Sequence, residues 1–163
     1  VWFHTESGLC IYQPYHRNFK KINFKKPGEE PIDITSFLQD ANGVIWMTIK
    51  KDGLYFFDTS KNIFSFYTSL WPGFPATILS IDEDKRSGYY WLNTENGLVV
   101  YNEKKREYYH QKYNPKGLQC FNSPAISSGP DFIYKDNNGD QWLGTHENGA
   151  YKFNGTTFEK FVP

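Results

Sequence analysis

Residues 91–101 read WLNTENGLVVY, and this pattern of a tryptophan, a short polar loop, a glycine and an apolar run occurs four times in the chain. The other copies are WFHTESGLCIY from Trp2, WMTIKKDGLYFF from Trp46 and WLGTHENGAYKF from Trp142. The four tryptophans are 44, 45 and 51 residues apart. A period of this length indicates a repeat architecture in which each unit is one supersecondary structure.

Each unit contains four short segments rich in β-branched and aromatic residues. In the second copy these segments are residues 34–38, 44–48, 54–57 and 63–67. Such segments, separated by Asp/Asn/Gly turns, are typical of β-strands. Asn42-Gly43 and Asn138-Gly139 are predicted hairpin turns with positive φ, whereas the third copy has the longer turn DKRSG, residues 84–88. No long apolar period of 3.6 residues occurs, so few helices are expected.

Four antiparallel strands per repeat predict an all-β fold, a segment of a β-propeller. A single four-stranded sheet buries both faces only by stacking between neighbouring sheets, as blades do around a propeller axis. The four tryptophans are expected to fill the spaces between sheets, and the glycine before each third strand is expected to allow a bulge or a left-handed residue. The single fragment 1–163 is predicted to hold a partial N-terminal blade that lacks its innermost strand and three full blades: 1–22, 32–67, 77–109 and 130–162.

The composition excludes several classes of partner. Eighteen basic and eighteen acidic side chains cancel, so no strong field attracts nucleic acid or an anionic membrane. No apolar run is long enough to insert into a bilayer. Two cysteines are too few for a disulfide scaffold, and a free thiol at Cys10 is favoured over a Cys10–Cys120 bridge. Aromatic residues make up 19% of the chain and must be packed or displayed to a ligand.

The segment DNNGDQWLGTHENG, residues 136–149, resembles the two-component regulator propeller repeat, and the other copies match it in part. The departures are Met47-Thr48 and Leu92-Asn93, where the family often has an aliphatic residue followed by glycine, and Ala150 in place of leucine. The resemblance covers essentially the whole chain. It implies a periplasmic sensor region of a bacterial hybrid histidine kinase, of the kind that responds to polysaccharide breakdown products in Bacteroidetes.

The same resemblance implies that this chain is one part of a larger ring. A stack of three and a partial fourth blade would leave two faces open, and open faces of this size expose apolar patches. The expected partners are therefore the remaining blades of the parent protein, or further copies of this chain that complete the ring.

Candidate ligand-binding residues lie in loops that share one propeller face. Trp71 and Phe74, within TSLWPGFPAT, could stack on a sugar ring or simply plug the gap between blades. The long third connection, residues 110–131, carries Tyr113 and Phe121. The polar candidates in the loops between second and third strands are Lys50, Lys51, Asp52, Glu95, Asn96, His146, Glu147 and Asn148. Their mixed charges suit a neutral, hydroxyl-rich ligand better than a polyanion, although solvated loops have the same composition.

No catalytic motif is found. The sequence lacks a nucleophile elbow, a phosphate loop and histidines at metal-ligand spacing, so neither a cofactor nor a metal is expected. A glycoside hydrolase needs two carboxylates, one with a raised pKa, whereas the aspartates here recur at hairpin tips, where Asx turns explain them. Two alternatives to an oligosaccharide sensor stay open: a protein-interaction scaffold and, less favoured, a propeller glycoside hydrolase or lyase.

Overall fold

The computed structural model describes residues 1–5, 8–22, 33–50, 53–67, 77–85, 87–127 and 130–162. These residues form a propeller-like stack of antiparallel sheets, which confirms the predicted all-β fold class. One sheet has three strands and three sheets have four strands. The three-stranded sheet is the N-terminal one, as expected for a blade that lacks its innermost strand.

The strands follow one another in space in the order of the sequence. Sheet I consists of β1 (Trp2–Thr5), β2 (Gly8–Gln13) and β3 (Asn18–Ile22). Sheet II consists of β4 (Ile34–Gln39), β5 (Val44–Ile49), β6 (Gly53–Asp58) and β7 (Ile63–Tyr67). Sheet III consists of β8 (Ile78–Asp84), β9 (Tyr89–Thr94), β10 (Gly97–Asn102) and β11 (Glu107–His110). Sheet IV consists of β12 (Pro130–Lys135), β13 (Gln141–Thr145), β14 (Gly149–Phe153) and β15 (Phe158–Lys160).

The turn glycines behave only partly as predicted. Gly43 and Gly139 have φ of 80° and 83°, but the preceding asparagines are not among the residues with positive φ. The tight turn is instead closed by the aspartate at its start, since the Gly43 amide donates to the Asp40 carbonyl at 3.0 Å. The sequence predicted a turn in which the asparagine and the glycine both have positive φ. In the structure only the glycine does.

The core consists of three apolar clusters, one in each gap between neighbouring sheets. Residues on successive positions of a strand face opposite gaps, so Met47 lies in the cluster between sheets I and II and Trp46 in the cluster between sheets II and III. Trp91 lies in the cluster between sheets III and IV. Trp46 and Trp91 thus fill the spaces between sheets as expected, and half-buried Trp2 packs against the first cluster.

The third connection contains the helical structure. A 3-10 helix, Gln119–Asn122, is followed by a single turn of helix, α1 (Pro124–Ser127). Four apolar residues of this segment are buried between sheets III and IV: Cys120, Phe121, Ala125 and Ile126. The Ser123 hydroxyl donates to the Phe158 carbonyl at 2.6 Å and ties the connection to sheet IV. The helical part of the connection therefore belongs to the core, whereas residues 111–113 before it are exposed.

Two further observations concern the described part of the chain. Cys10 and Cys120 are both free thiols. Burial raises the pKa of Cys120 to about 12, so it stays protonated at neutral pH. No helix in the described ranges is long and apolar enough to span a membrane.

Candidate functional site

One end of sheets II, III and IV carries the loops between second and third strands, and we call it the loop end. In sheets II and III, the residue that follows the second strand is hydrogen-bonded to the residue that precedes the first strand. The Lys50 amide donates to the Asp33 carbonyl at 2.9 Å, and the Glu95 amide donates to the Thr77 carbonyl at 3.2 Å. The loop end therefore brings these loops close to the starts of the inner strands.

Charged side chains of both signs are exposed at the loop end. The Lys50 ammonium lies 3.8 Å from the Asp33 carboxylate, and His146 Nδ1 lies 3.8 Å from the Asp131 carboxylate. Both pairs are largely solvated, so they contribute little to stability. Their side chains are therefore available to a ligand without a large cost to the fold.

Threonine side chains fix the shape of two of these loops. The Thr94 hydroxyl donates to the Gly97 carbonyl at 2.7 Å, and the Thr145 hydroxyl donates to the Gly149 carbonyl at 2.9 Å. The Asn96 amide in turn donates to Thr94 Oγ1 at 3.2 Å. The hydrogen bond between the threonine and the glycine of the repeat thus closes the loop, and the polar residues between them are exposed.

A cavity of about 200 Å³ lies at the loop end of sheet III, where the loop after β9 meets the third connection. It is lined by Asn96, Gly97, Leu98, His110, Gln111, Lys112 and Ile126. Burial, together with the nearby Lys112 charge, lowers the pKa of His110, so the imidazole is neutral at pH 7. A neutral imidazole and two side-chain amides offer both donors and acceptors, which suits hydroxyl groups.

The cavity-lining His110 belongs to a row of three neighbouring rings. Tyr108 and His110 are stacked with centroids 6.1 Å apart, and the Tyr113 ring lies 5.3 Å from Tyr108. His110 and Tyr113 exchange two backbone hydrogen bonds of 3.0 and 2.9 Å, which fix the turn that carries both rings. Tyr113 is 49% exposed, so part of its side chain is accessible to solvent.

Only part of the predicted site meets at this cavity. Asn96 lines it, whereas Tyr113 does not line it and instead lies next to the cavity-lining His110, with ring centroids 6.1 Å apart. Phe121 is 4% exposed and packs between sheets III and IV, so its ring is not displayed at the loop end. The other described candidates are exposed without lining the cavity: Lys50, Glu95, His146, Glu147 and Asn148. Trp71, Phe74, Lys51 and Asp52 lie outside the described residues.

The opposite end, the tip end, carries the turns between first and second strands and a polar cluster that the sequence did not predict. One oxygen of the Asp40 carboxylate accepts the amides of Asn42 and Val44 at 2.9 and 3.0 Å. The other oxygen accepts the Trp46 indole at 3.0 Å and the Tyr90 hydroxyl at 3.1 Å. Burial, and then the Asp40 charge, raise the pKa of Tyr90, so its hydroxyl remains a donor. Because Tyr90 belongs to sheet III, Asp40 joins two sheets.

Sheet IV repeats the local part of this cluster. The Asp136 carboxylate accepts the amides of Asn138 and Asp140 at 2.9 and 3.0 Å and the Trp142 indole at 3.0 Å. The indole hydrogen bond is the main cause of the lowered pKa of Asp136. The spacing Asp-x-x-Gly-x-x-Trp, shared by the second and fourth copies, is the sequence signal that could have identified this contact.

A cavity of about 380 Å³ opens beside the Asp40 cluster, between sheets II and III. Its aromatic wall consists of Trp46, Phe56 and Tyr90. Carboxylates and ammonium groups of opposite sign surround it: Asp40, Glu83, Glu103, Lys85 and Lys104. The Asp40 carboxylate at this cavity already accepts four hydrogen bonds from within the protein.

The stacked sheets and the two loop-bearing ends define a propeller-like all-β protein, and comparison with known proteins agrees at the level of fold. No protein-family profile and no curated protein sequence matches the chain. The extracellular domain of BT4673 from B. thetaiotaomicron, assigned to a one-component system, is 19% identical with a TM-score of 0.68. That match covers 99% of this chain and 23% of the BT4673 chain.

Two further solved structures extend the comparison. The extracellular domain of BT3049 from B. thetaiotaomicron, assigned to a hybrid two-component system, is 20% identical with a TM-score of 0.67, over 97% of this chain and 21% of that one. Virginiamycin B lyase from Staphylococcus aureus is 16% identical with a TM-score of 0.50, over 78% of this chain and 40% of that one. This chain thus spans about a fifth of the two extracellular domains it matches. At these identities the likeness is one of fold.

Proposed function

We propose that this chain is a non-catalytic segment of an extracytoplasmic sensing propeller and that its loop end recognises a neutral oligosaccharide. The observation that carries the proposal is the loop-end cavity of sheet III, which Asn96, His110 and Gln111 line, with the partly exposed Tyr113 ring 6.1 Å from the His110 ring. Aromatic faces stack on the C–H surface of sugars while polar groups satisfy the hydroxyls. The fold likeness to extracellular domains of one-component and two-component systems supports a sensing role in the periplasm.

The third connection offers a route by which binding could be transmitted. It lines the loop-end cavity through Gln111 and Ile126, and it is tied to sheet IV through Ser123. A ligand that contacts Asn96 and the connection together would favour one packing of sheets III and IV over another. The shift would then reach a membrane-proximal module and a histidine kinase in the parent protein, as the repeat resemblance implies.

Calorimetry against a panel of neutral oligosaccharides tests this proposal. Tyr113→Ala is expected to weaken binding about tenfold, because an aromatic contact contributes about 1 kcal/mol beyond its buried area. Tyr15→Ala is the matched control, since Tyr15 is fully exposed on a turn of sheet I. Trp71→Ala extends the test to the predicted second connection. Equal affinities for the Tyr113 and Tyr15 variants, with circular dichroism unchanged, would overturn the proposed site.

A non-catalytic role is supported by the carboxyl groups. Asp58, Glu107 and Asp136 have lowered pKa values because hydroxyl, amide, ammonium or indole donors bind the ionised form. A glycosidase acid needs the opposite shift. Turnover of any oligosaccharide that binds, measured by the appearance of new reducing ends, would instead support the lyase or hydrolase alternative, for which the fold likeness to virginiamycin B lyase is the specific observation.

The two outermost sheet faces support further protein contacts. Phe3 and Phe19 are exposed on sheet I, and Phe132, Tyr134 and Phe161 are exposed on or beside sheet IV. Aromatic patches of this kind mark protein contact sites. We propose that remaining blades of a larger ring, or further copies of this chain, cover them. Light scattering of the chain at increasing concentration distinguishes these two partners, because only association with further copies raises the measured molecular mass. The same faces favour a protein-interaction scaffold as the second candidate function.

A further inference from the structure

The inner edge of sheet I, which is the side of β1 away from β2, lacks a strand that the other three sheets have. By repeat position β1 corresponds to β5, β9 and β13, because each of these strands carries the tryptophan of its copy. β5, β9 and β13 are each paired on both sides. Among the described residues, β1 is paired with β2 alone. The inner edge of sheet I is therefore open at a place where three equivalent strands have a partner.

Two residues of β1 direct their backbone hydrogen-bonding groups toward this open edge. The Val1 carbonyl accepts the Tyr12 amide at 2.8 Å, so Val1 belongs to a hydrogen-bonded pair with the neighbouring strand. Hydrogen-bonded and non-hydrogen-bonded pairs alternate along antiparallel strands. The N–H and C=O groups of Trp2 and His4 therefore face away from β2. An edge strand with such groups is a template for pairing with another strand.

The three complete sheets define how a strand fits at this edge, because their first strands share one register. In each of them the first residue pairs with the residue three places after the tryptophan, and the next residue is bulged out of the pairing. The paired first residues are Ile34, Ile78 and Pro130. In sheet I the residue three places after the tryptophan is Thr5. An incoming strand in the same register would place its first residue opposite Thr5, its third opposite His4 and its fourth opposite Phe3.

The fourth position of such a strand matches an exposed apolar side chain of sheet I. Phe3 is 42% exposed, whereas the residues at the same repeat position in the other sheets are fully buried: Met47, Leu92 and Leu143. In those sheets the cross-strand partner on the first strand is also apolar: Phe37, Ile81 and Ile133. An apolar fourth residue would therefore be the direct neighbour of Phe3 and cover part of its ring.

The interface between the first strands of neighbouring sheets would continue into the same place. In sheet II the bulged residue is Thr35, and its hydroxyl donates at 2.7 Å to the carbonyl of Ile78 in the first strand of sheet III. Ile34 holds in β4 the position that Ile78 holds in β8. A threonine at the bulged position of an incoming strand would thus have the Ile34 carbonyl as its acceptor. The row of bonded first strands would then extend from sheet III through sheet II to sheet I.

We propose that the inner edge of sheet I binds an extended strand with the first-strand pattern of this repeat, antiparallel to β1. The pattern of β4 describes it: an apolar first residue, a threonine at the bulge, a serine and an apolar fourth residue. The strand belongs to the larger propeller of which the chain is proposed to be a segment, so the inference rests on that part of the proposed function and not on the oligosaccharide. Main-chain bonds to Trp2 and His4 supply affinity, and the apolar fourth residue supplies specificity.

The test adds the peptide DITSFLQD, the sequence of residues 33–40, to the ¹⁵N-labelled chain and follows the exchange of backbone amides with solvent deuterium. The Trp2 and His4 amides should exchange about tenfold more slowly when the peptide is bound, because each gains an acceptor. The Phe3 and Thr5 amides should change less, since they already face β2. This alternation distinguishes strand pairing from a general tightening of sheet I.

Matched variants of the peptide and of the chain sharpen the test. A peptide with Leu38→Pro lacks the amide that would lie opposite Trp2, so it should protect the edge less. Phe3→Ser in the chain should weaken binding of the unchanged peptide about fivefold, because it removes the neighbour of the fourth residue. Phe66→Ser is the control and should leave binding unchanged, since Phe66 is 43% exposed on the outermost strand of sheet II.

Three results would overturn the proposal. They are unchanged exchange of the Trp2 and His4 amides at millimolar peptide, equal protection by the proline peptide, and equal effects of the Phe3 and Phe66 variants. Protection that arises on concentrating the chain without peptide would identify another copy as the occupant and would also overturn it. If calorimetry detects an oligosaccharide but the peptide has no effect, this inference alone fails. If the peptide binds and no oligosaccharide does, the inference stands without the proposed ligand.

Discussion

Trp46 and Trp142 occupy the same position in two repeats but lie in different surroundings. Both donate their indole hydrogen to the aspartate of the preceding turn, at 3.0 Å in each case. Trp46 is 5% exposed, with the Tyr90 ring of the next sheet 5.0 Å away. Trp142 is only half-buried, beside Phe161 and under the Lys152 ammonium at 5.5 Å. The turn therefore orients the indole by itself, whereas the neighbouring sheet supplies its burial.

The largest effect is expected from removing the two indoles. Trp46→Ala should lower the free energy of unfolding by about 3–5 kcal/mol, since it leaves a cavity between two packed sheets. Trp142→Ala should lower it by less than half of that, because no sheet formed by the described residues covers the outer face of sheet IV. Urea unfolding of both variants measures the difference. Equal losses would show that burial by the next sheet is not what separates the two positions.

Asp40 and Asp136 provide the next comparison. Asp40→Ala should lower the free energy of unfolding by about 2–3 kcal/mol, because it strands the buried Trp46 indole and the Tyr90 hydroxyl. Asp136→Ala should cost clearly less, since its partners lie near the surface. Tyr90→Phe combined with Asp40→Ala should recover part of the loss by removing one stranded donor. The prediction fails if the double variant is no more stable than Asp40→Ala alone.

Gly144 marks a further difference between sheet IV and sheet II, with a smaller expected effect on stability. A methyl group at Gly144 would overlap the Phe132 ring, which lies directly over it, whereas sheet II pairs Ser36 with Thr48 at the equivalent place. Gly144→Ala should cost about 1 kcal/mol, because Phe132 is exposed enough to rotate away. Adding Phe132→Ser should restore stability. A thermal melt in which the single variant matches the parent would contradict the close contact.

The smallest effect concerns pH. The Trp142 indole lowers the pKa of Asp136 below its usual value of 3.8, so folding favours the ionised carboxylate. This contribution is present above about pH 4 and is lost as the pH falls through the lowered pKa. A ¹³C titration of the Asp136 carboxyl should therefore give a midpoint below 3.8, and Trp142→Phe should raise it. An unchanged midpoint in that variant would assign the shift to the turn amides instead.

The repeat carries most of the information about the fold. Tryptophan spacing, alternating apolar segments and Asp/Asn/Gly turns predict the stacked four-stranded sheets because each depends on local propensity and strand periodicity. The Asp-to-indole contact is also local, since six residues separate its partners. The hydrogen bond between Tyr90 and Asp40 is not local: fifty residues separate the two, and only packing of the two sheets brings them together, so sequence pattern does not predict it.

The candidate site was predicted less completely, for two physical reasons. The third connection has the aromatic and polar composition of an exposed loop. Whether each ring is exposed or buried depends on whether it packs into the gap between two sheets: Tyr113 is exposed and Phe121 is buried. The second reason concerns the third turn, which is one residue longer than the turns of sheets II and IV. Whether the Trp91 indole reaches an acceptor in this turn depends on where the hairpin closes, which the residue types alone do not determine; among the described residues it has no partner.

The short helical segment after β11 has a consequence for how the molecule comes apart. Because its side chains are wedged between sheets III and IV and Ser123 is bonded to the last strand, these two sheets cannot separate without expelling it. Amide hydrogens in β9, β10, β13 and β14 should therefore exchange with solvent deuterium in a single concerted opening. Among the described residues of sheet I, Leu9 is the one buried apolar side chain, so this sheet should separate first and leave sheets III and IV together.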